Sequence, residues 1–188
     1  MSLPARRRTR ETMKIKHDSL PGRASDSLTL ILMRHAKSDW SSGEQADFDR
    51  PLNPRGVRDA PRIAQWLQDQ SLIPDRILAS AAKRTRQSAQ AMLDHWNSDE
   101  VLMTSNSLYL ADPETILKSI QSDGGDANVL MVLAHNPGIS YLASTLADQL
   151  IDLPTAALAV FKTTVDHWQD FRIGQSLHLI HSMKPKTL

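Results

Sequence analysis

The chain has 188 residues, of which 40% are hydrophobic and 23% are charged, and its formal net charge is +1. This balance is typical of a globular domain with one hydrophobic core, and it excludes a disordered or fibrous protein. The small net charge gives no overall attraction to nucleic acid or anionic membranes, and the absence of cysteine excludes disulfide bonds, thiolate catalysis and cysteine-bound zinc.

Residues 1–26 are predicted to form a flexible extension. Arg6–Arg8 resembles the charged start of an export signal, but such a signal needs an apolar stretch of roughly 7–15 residues behind its charges. The residues that follow are polar, and no segment approaches the stretch of about 20 apolar residues that crosses a bilayer. The arginines could also form a nucleic-acid arm, although charge blocks on flexible ends are usually just solvated. We therefore expect a cytoplasmic protein with one domain over residues 27–188.

Strand patterns alternate with helix patterns along the rest of the chain. In chain order they predict a strand at Leu28–Met33, a helix from Asn53-Pro54, a strand at Arg76–Ala79, a helix from Ser80 to about Trp96, a weak strand at Val101–Met103, a helix from Asp112-Pro113 to about Ser122, a strand at Val129–Ala134, a helix after Gly138, and strands between Leu158 and His181. Pro61 should separate or kink the first turn of its helix, and Ser80 should cap the next helix. This order predicts a single-domain three-layer α/β/α fold with a mostly parallel central sheet.

Residues suited to phosphoryl transfer follow three of the predicted strands. Arg34 and His35 follow the first strand, the segment that contains Arg84 follows the second, and His135 follows the long apolar strand. Ligands of open α/β sheets bind beyond the carboxyl ends of the strands, so we expect these four side chains to meet. A neutral imidazole can attack phosphorus, and two arginine forks can hold phosphoryl oxygens. A second histidine can donate a hydrogen bond or handle a proton.

Four segments resemble the histidine phosphatase superfamily, the phosphoglycerate mutase-like group. They are Met33–Ser38, Asp49–Gly56, Ser80–Ala89 and His135–Gly138, and their order and spacing are those of the family. The short chain is most similar to the SixA-type phosphohistidine phosphatases, which have a minimal core without long lid insertions. The resemblance runs from about residue 28 to the region of Pro185, and it implies a phosphoglycerate mutase-like fold.

The resemblance also implies roles for individual residues. His35 would be the phosphorylated nucleophile, Arg34 and Arg84 would bind the phosphoryl oxygens, and His135 would complete the pocket. No metal or other cofactor is implied. Further candidates for substrate binding are Arg50, Asn53 and Glu114.

Several of these residues have competing interpretations. Arg50 could instead form a surface ion pair with Asp47 or Asp49, and Glu114 also fits the start of a helix. Lys83 and Arg86 lie close to Arg84 in sequence and compete with it for the phosphate-binding role. A metal site built from His35, His135 and Asp49 is disfavoured because an arginine in the pocket would repel the cation. Trp40, Trp66 and the other histidines are interpreted as packing, loop or structural residues.

Two departures from the family pattern bear on the substrate. Ala36 replaces the usual glycine, which is a small change that still allows close approach of the backbone. No residue clearly matches the acid that serves as proton donor in the mutase-like branch. A missing donor suits the phosphoramidate of phosphohistidine better than an alkyl phosphate, whose departing alkoxide needs a proton.

The function predicted from the sequence is therefore a metal-independent phosphatase with a phosphohistidine intermediate, acting on protein phosphohistidine. The expected partner is a phosphorylated protein or a small phosphorylated substrate, with no nucleic acid and no membrane. One alternative is a broad small-molecule phosphomonoesterase of the same family. The other is a non-catalytic phosphate-binding regulatory module.

Overall fold

The computed structural model describes residues 27–41, 46–98, 101–175 and 177–187, so the predicted N-terminal extension lies outside the described residues. The strands are β1 (Leu28–Arg34), β2 (Arg76–Ser80), β3 (Val101–Ser105), β4 (Val129–Ala134), β5 (Leu158–Thr163) and β6 (Leu177–Met183). The helices are α1 (Pro54–Asp69), α2 (Lys83–Trp96), α3 (Pro113–Asp123) and α4 (Gly138–Ala147). No helix in these ranges is long and apolar enough to cross a membrane.

The six strands form one mixed sheet in the order β3-β2-β4-β1-β5-β6. β3, β2, β4 and β1 are mutually parallel, whereas β5 and β6 each run antiparallel to the preceding neighbour in the sheet. The prediction of a mostly parallel sheet is confirmed, with an antiparallel pair at one edge. The parallel arrangement brings the carboxyl ends of β1, β4 and β2 to the same edge of the sheet.

The side chains of β1 alternate between two hydrophobic cores. Leu30 and Leu32 pack in the core that contains residues of α3 and α4. Ile31 and Met33 pack in the core that contains residues of α1 and α2. All four side chains are fully buried, because successive residues of a strand point to opposite faces of the sheet. The predicted three-layer α/β/α arrangement is therefore confirmed.

Local capping explains where two of the helices begin. Asn53 precedes α1, and its side-chain oxygen accepts a hydrogen bond from the backbone N–H of Gly56 at 2.9 Å. Asp112 precedes α3 in the same way and accepts from the N–H of Thr115 at 2.7 Å. A proline occupies the first turn of each helix, where its missing N–H breaks no helical hydrogen bond.

The predicted separation of the first turn of α1 and the predicted cap of α2 are both wrong. α1 runs without a break through Pro61, because buried neighbours such as Ala60 and Ile63 hold both sides of the proline against the core. Ser80 does not cap α2: it is the last residue of β2, and α2 begins at Lys83. The Ser80 hydroxyl accepts from the N–H of Ala82 at 3.2 Å, and it also lies 2.8 Å from Nε2 of His135.

Candidate active site

The parallel strands bring two histidine rings together at the sheet edge. Arg34 pairs with Ala134 across β1 and β4, so the next residues, His35 and His135, leave the sheet side by side. Their ring centroids are 5.0 Å apart. Arg84, in the first turn of α2, contacts both rings. The structure thus brings together the four side chains that the sequence singled out.

A cavity of about 280 Å³ opens at this edge. Its lining includes Arg34, His35, Arg84 and His135, together with Arg50. The cavity is mainly surrounded by cationic groups and neutral rings. This surrounding suits a small anion, because arginine forks match the oxygen geometry of phosphate.

The hydrogen bonds of His35 define its tautomer. Nδ1 lies 2.7 Å from the carbonyl oxygen of Ala36, which can only accept, so Nδ1 carries the proton. Nε2 lies 3.2 Å from Nε of Arg84, which can only donate, so Nε2 carries the lone pair. Burial, with a smaller effect from the nearby arginines, outweighs the Ala36 hydrogen bond and lowers the pKa of His35 to about 3. The ring is neutral at neutral pH, and Nε2 is its nucleophilic atom.

His135 has the opposite tautomer. Nη2 of Arg84 donates to Nδ1 of His135 at 3.2 Å, so the proton lies on Nε2, which donates to the hydroxyl of Ser80 at 2.8 Å. Burial, followed by the charges of His35 and Arg84, lowers the pKa of His135 to about 3. In this state the ring offers Arg84 an acceptor. Donation from Nδ1 to a phosphoryl group would require the other tautomer.

Two arginines carry buried donors that have no hydrogen-bond partner among the described residues. These donors are Nε of Arg34 and Nε of Arg50. Nη1 of Arg34 donates to the carbonyl of Leu153 at 3.3 Å, and Nη2 of Arg50 forms an ion pair with Asp47. Arg50 therefore forms the ion pair with Asp47 that the sequence allowed and also lines the cavity, while its role in substrate binding stays a prediction. Buried donors normally find an acceptor, and phosphoryl oxygens would supply one.

Asp47 is a central residue of the site that the sequence suggested only as an ion-pair partner of Arg50. Its carboxylate accepts from Nη2 of Arg84 at 2.9 Å and from the Tyr109 hydroxyl at 2.6 Å, and it pairs with Arg50. Burial would raise the pKa of Asp47, but the Tyr109 hydrogen bond and the two arginines outweigh it and lower the pKa to about 2. Asp47 is therefore a carboxylate and not an acid at neutral pH.

Sequence reasoning also missed Tyr109 and placed Trp40 in a loop without a role in the site. The Tyr109 ring meets His135 edge-on at 5.4 Å, and no motif in the sequence indicates this contact. Trp40 lines the cavity, and the Cζ atom of Arg50 lies 3.5 Å from the centroid of the indole. The only sequence signals were an aromatic residue five positions after His35 and an aspartate three positions before Arg50.

Comparison with known proteins agrees with this geometry. A model of the histidine phosphatase superfamily (branch 1) matches residues 30–106. An uncharacterised protein of Mycobacterium tuberculosis is 36% identical over 153 residues, which cover 76% of this chain and 93% of that protein. A solved structure of a protein assigned as the phosphohistidine phosphatase SixA of Agrobacterium tumefaciens is 30% identical, with a TM-score of 0.72 over 85% of this chain and 99% of that one. The chain belongs to the histidine phosphatase superfamily.

Within the superfamily this histidine phosphatase is similar to SixA proteins in size as well as fold. The SixA protein of Nakamurella multipartitia is 28% identical and has a TM-score of 0.74, and the match covers 85% of this chain and 96% of that one. The predicted family and its phosphoglycerate mutase-like fold are confirmed. The family also identifies the protein as a phosphatase in the broad sense.

Two of the predicted substrate-binding residues lie outside the cavity lining of this histidine phosphatase. The side-chain oxygen of Asn53 caps α1, and Asn53 does not line the cavity. Glu114 is in the first turn of α3, where its side chain is 75% exposed and lies 2.9 Å from Nζ of Lys118. A capping hydrogen bond accounts for the position of the Asn53 side chain, and an ion pair within α3 accounts for that of Glu114.

Arg84 is the arginine of its segment that enters the cavity. Lys83 and Arg86, its competitors in sequence, line a separate surface groove beside β3. Asp49, considered as a metal ligand with the two histidines, is exposed and does not line the cavity. Within the described part of the chain, no three histidine or acidic side chains are grouped as a metal site.

Proposed function

We propose that this histidine phosphatase hydrolyses its substrate through a covalent intermediate on Nε2 of His35. The hydrogen bonding of His35 carries this proposal. Because Nδ1 donates to the Ala36 carbonyl, the lone pair is on Nε2, which is the atom that contacts Arg84. A buried ring with a pKa of about 3 keeps that lone pair at neutral pH, as a nucleophile must.

In the first step, the Nε2 lone pair attacks phosphorus and an N–P bond forms. The bond from phosphorus to the leaving group breaks, and its electron pair stays on the leaving atom. Arg34, Arg50 and Arg84 would hold the phosphoryl oxygens, and the unpartnered Nε donors of Arg34 and Arg50 are available for this purpose. The Arg84 donor that now contacts Nε2 would exchange that contact for a phosphoryl oxygen.

In the second step, a water oxygen attacks phosphorus and the N–P bond breaks. The electron pair returns to Nε2, the proton of the water passes to phosphate or bulk water, and inorganic phosphate leaves. The proton that Nδ1 shares with the Ala36 carbonyl lets the ring depart as neutral imidazole instead of an anion. The same backbone carbonyl therefore assists both steps.

We further propose that the substrate is phosphohistidine in a partner protein. Asp47 is the carboxylic residue among the described cavity-lining residues, and its pKa of about 2 makes it a poor proton donor. His135 is neutral and directs its proton to Ser80. A protonated imidazole departs from phosphorus as neutral imidazole without help from an acid, whereas an alkoxide leaving group needs a proton. The name given to the SixA relatives, phosphohistidine phosphatase, is consistent with this choice.

The proposed activity needs no metal ion and takes place in the cytoplasm. The positive charge that phosphoryl transfer requires would come from Arg34, Arg50 and Arg84, all of which line the cavity. A metal cation placed beside three guanidinium groups would be repelled, which supports a metal-independent reaction.

The decisive experiment compares hydrolysis of a phosphohistidine peptide, a phosphoserine peptide and an aryl phosphate, with and without a chelator. The variant is His35→Ala, and the matched control is His95→Ala, which removes an exposed histidine of α2. We expect hydrolysis to be fastest with phosphohistidine, unaffected by the chelator and lost in His35→Ala. Acid-labile, base-stable labelling of the wild type during turnover would identify the N–P intermediate.

Each rival function predicts a different outcome. Retained turnover in His35→Ala would remove the covalent mechanism. Preference for phosphoserine or small phosphate esters would favour the broad phosphomonoesterase, and loss of activity with the chelator would indicate a metal. Calorimetric binding of phosphohistidine peptide without turnover would indicate a regulatory module.

A further inference from the structure

We infer that Asp47 and Trp40 form a leaving-group subsite that selects a planar ring carrying a proton, namely the protonated imidazole of phosphohistidine. This inference deepens the proposed function and rests on it. Both residues line the same cavity as His35, yet neither is assigned a role in the attack on phosphorus. Each has binding capacity that its contacts within the protein do not use.

The carboxylate of Asp47 has an unused acceptor position. Its Oδ2 accepts from Nη2 of Arg84 and from the hydroxyl of Tyr109, while Oδ1 pairs with Nη2 of Arg50. A carboxylate oxygen can accept two hydrogen bonds, so Oδ1 retains one position after these contacts. The side chain is 42% exposed, which allows a ligand in the cavity to reach it. A protonated donor is the partner that an ionised carboxylate prefers.

The indole of Trp40 offers a ring surface at the cavity. Trp40 is 70% exposed, which is unusual because tryptophan side chains are highly buried on average. Arg50 stacks on the indole at 3.5 Å from Cζ to the ring centroid, and this contact orients it. An exposed indole binds flat rings and cations through stacking and cation–π interaction.

A single leaving group satisfies both residues. Imidazole attached to phosphorus through one nitrogen is planar, and its other nitrogen carries a proton near neutral pH. That N–H can donate to Oδ1 of Asp47, while the ring lies against Trp40. A sugar or alkyl leaving group offers neither a flat ring nor a charged donor, and an aryl ester offers only the ring.

Three small phosphoryl donors test ring recognition by Trp40 and proton recognition by Asp47 independently of each other. Phosphoimidazole has the ring and the protonated nitrogen, phosphoramidate has a protonated nitrogen without a ring, and 4-nitrophenyl phosphate has a ring without a proton. We would measure kcat/KM for each donor with wild type, Trp40→Ala, Trp40→Phe and Asp47→Asn. The controls are Leu150→Ala and Asp126→Asn, which alter exposed residues outside the cavity lining.

Trp40→Ala should lower the kcat/KM ratio of phosphoimidazole to phosphoramidate by about 3- to 30-fold, the range between an exposed and a desolvated cation–π contact. Trp40→Phe should recover most of that ratio, because phenylalanine restores a ring. Asp47→Asn should lower the ratio of phosphoimidazole to 4-nitrophenyl phosphate by about 10- to 100-fold, as expected for a hydrogen bond to a charged group. Both controls should keep the wild-type ratios.

The ratio of kcat/KM between two donors, measured in one variant, distinguishes a loss of leaving-group recognition from a general structural defect of the site. Asp47 also holds Arg84, so an equal loss for all donors would mean that Asp47 only positions Arg84, and this would overturn its place in the subsite. An unchanged donor ratio in Trp40→Ala would overturn ring recognition. In both cases the proposed function would stand. A wild-type enzyme that hydrolyses only 4-nitrophenyl phosphate would instead remove the phosphohistidine assignment, and the subsite with it.

Discussion

The two buried histidines should make the stability of the fold depend on pH between 7 and 5. His35 and His135 each have a pKa near 3 in the folded chain, chiefly because burial disfavours the charged ring. In the unfolded chain their pKa values return to about 6.5. As pH falls below 6.5, the unfolded state binds protons that the folded state does not, so the free energy of unfolding decreases. The decrease continues until the folded rings themselves become protonated, near pH 3.

The size of the effect at pH 5 follows from the unfolded rings alone. At pH 5 both folded rings are still neutral, while each unfolded ring lies about 1.5 pH units below its pKa. At about 1.4 kcal/mol per unit, each histidine lowers the free energy of unfolding by about 2 kcal/mol, and the pair lowers it by about 4 kcal/mol. Asp47 does not contribute in this window, because its pKa is lowered to about 2 and its stabilisation is lost only as pH falls below about 4.

Urea unfolding at pH 7 and pH 5, followed by tryptophan fluorescence, measures the difference directly. The test variant is the double substitution His35→Asn with His135→Asn, and its control replaces the exposed His95 and His178 by asparagine. The loss of stability on acidification should be about 4 kcal/mol smaller in the test variant than in wild type, and unchanged in the control. Equal losses in wild type and the test variant would refute the conclusion that the two site histidines are buried and neutral.

Three further substitutions test single contacts of the site. Ser80→Ala leaves the buried His135 N–H only the longer contact with the Thr85 hydroxyl at 3.4 Å, so the free energy of unfolding should fall by about 1–3 kcal/mol in urea titrations; a loss below about 0.5 kcal/mol would mean that Thr85 replaces Ser80 as the acceptor. Gly138→Ala would place a Cβ 1.9 Å from the Ala111 carbonyl oxygen, so the melting temperature should fall by several degrees, and an unchanged value would contradict this close approach. Arg84→Lys keeps the charge but loses the fork, so kcat/KM should fall about 100-fold; near-normal turnover would mean that charge alone suffices.

The fold and the meeting of the two histidines could be predicted because their signals are local. Leu28–Met33 and Val129–Ala134 are largely apolar runs, typical of strands buried on both faces, and both end directly before the site residues. Once those strands are parallel neighbours, His35 and His135 have to lie side by side. The approach of the two histidines follows from the order and direction of the strands. It could therefore be predicted without knowing how the loops fold.

The surroundings of His35 could not be predicted, because they depend on contacts between distant loops. Asp47 and Tyr109 are 62 residues apart and meet only through the tertiary fold. Asn53 and Glu114 were predicted to bind substrate, yet both lie outside the cavity lining, and helix capping and an ion pair on α3 account for their side chains. Pro61 is a milder case, in which packing on both sides of the helix outweighed a local preference.

The distance between the two site rings is a property of the sheet and not of the loops. β1 and β4 pair residue by residue up to Arg34 and Ala134, and neighbouring strands lie about 4.8 Å apart, close to the 5.0 Å between the ring centroids. The pairing of β1 with β4 thus places the two rings side by side. Loops that carry residues such as Trp40, Asp47 and Tyr109 could be exchanged or lengthened to suit another phosphorylated compound while the nucleophile keeps its partner. In protein engineering, the sheet could therefore be kept unchanged while its loops are replaced one at a time to alter substrate specificity.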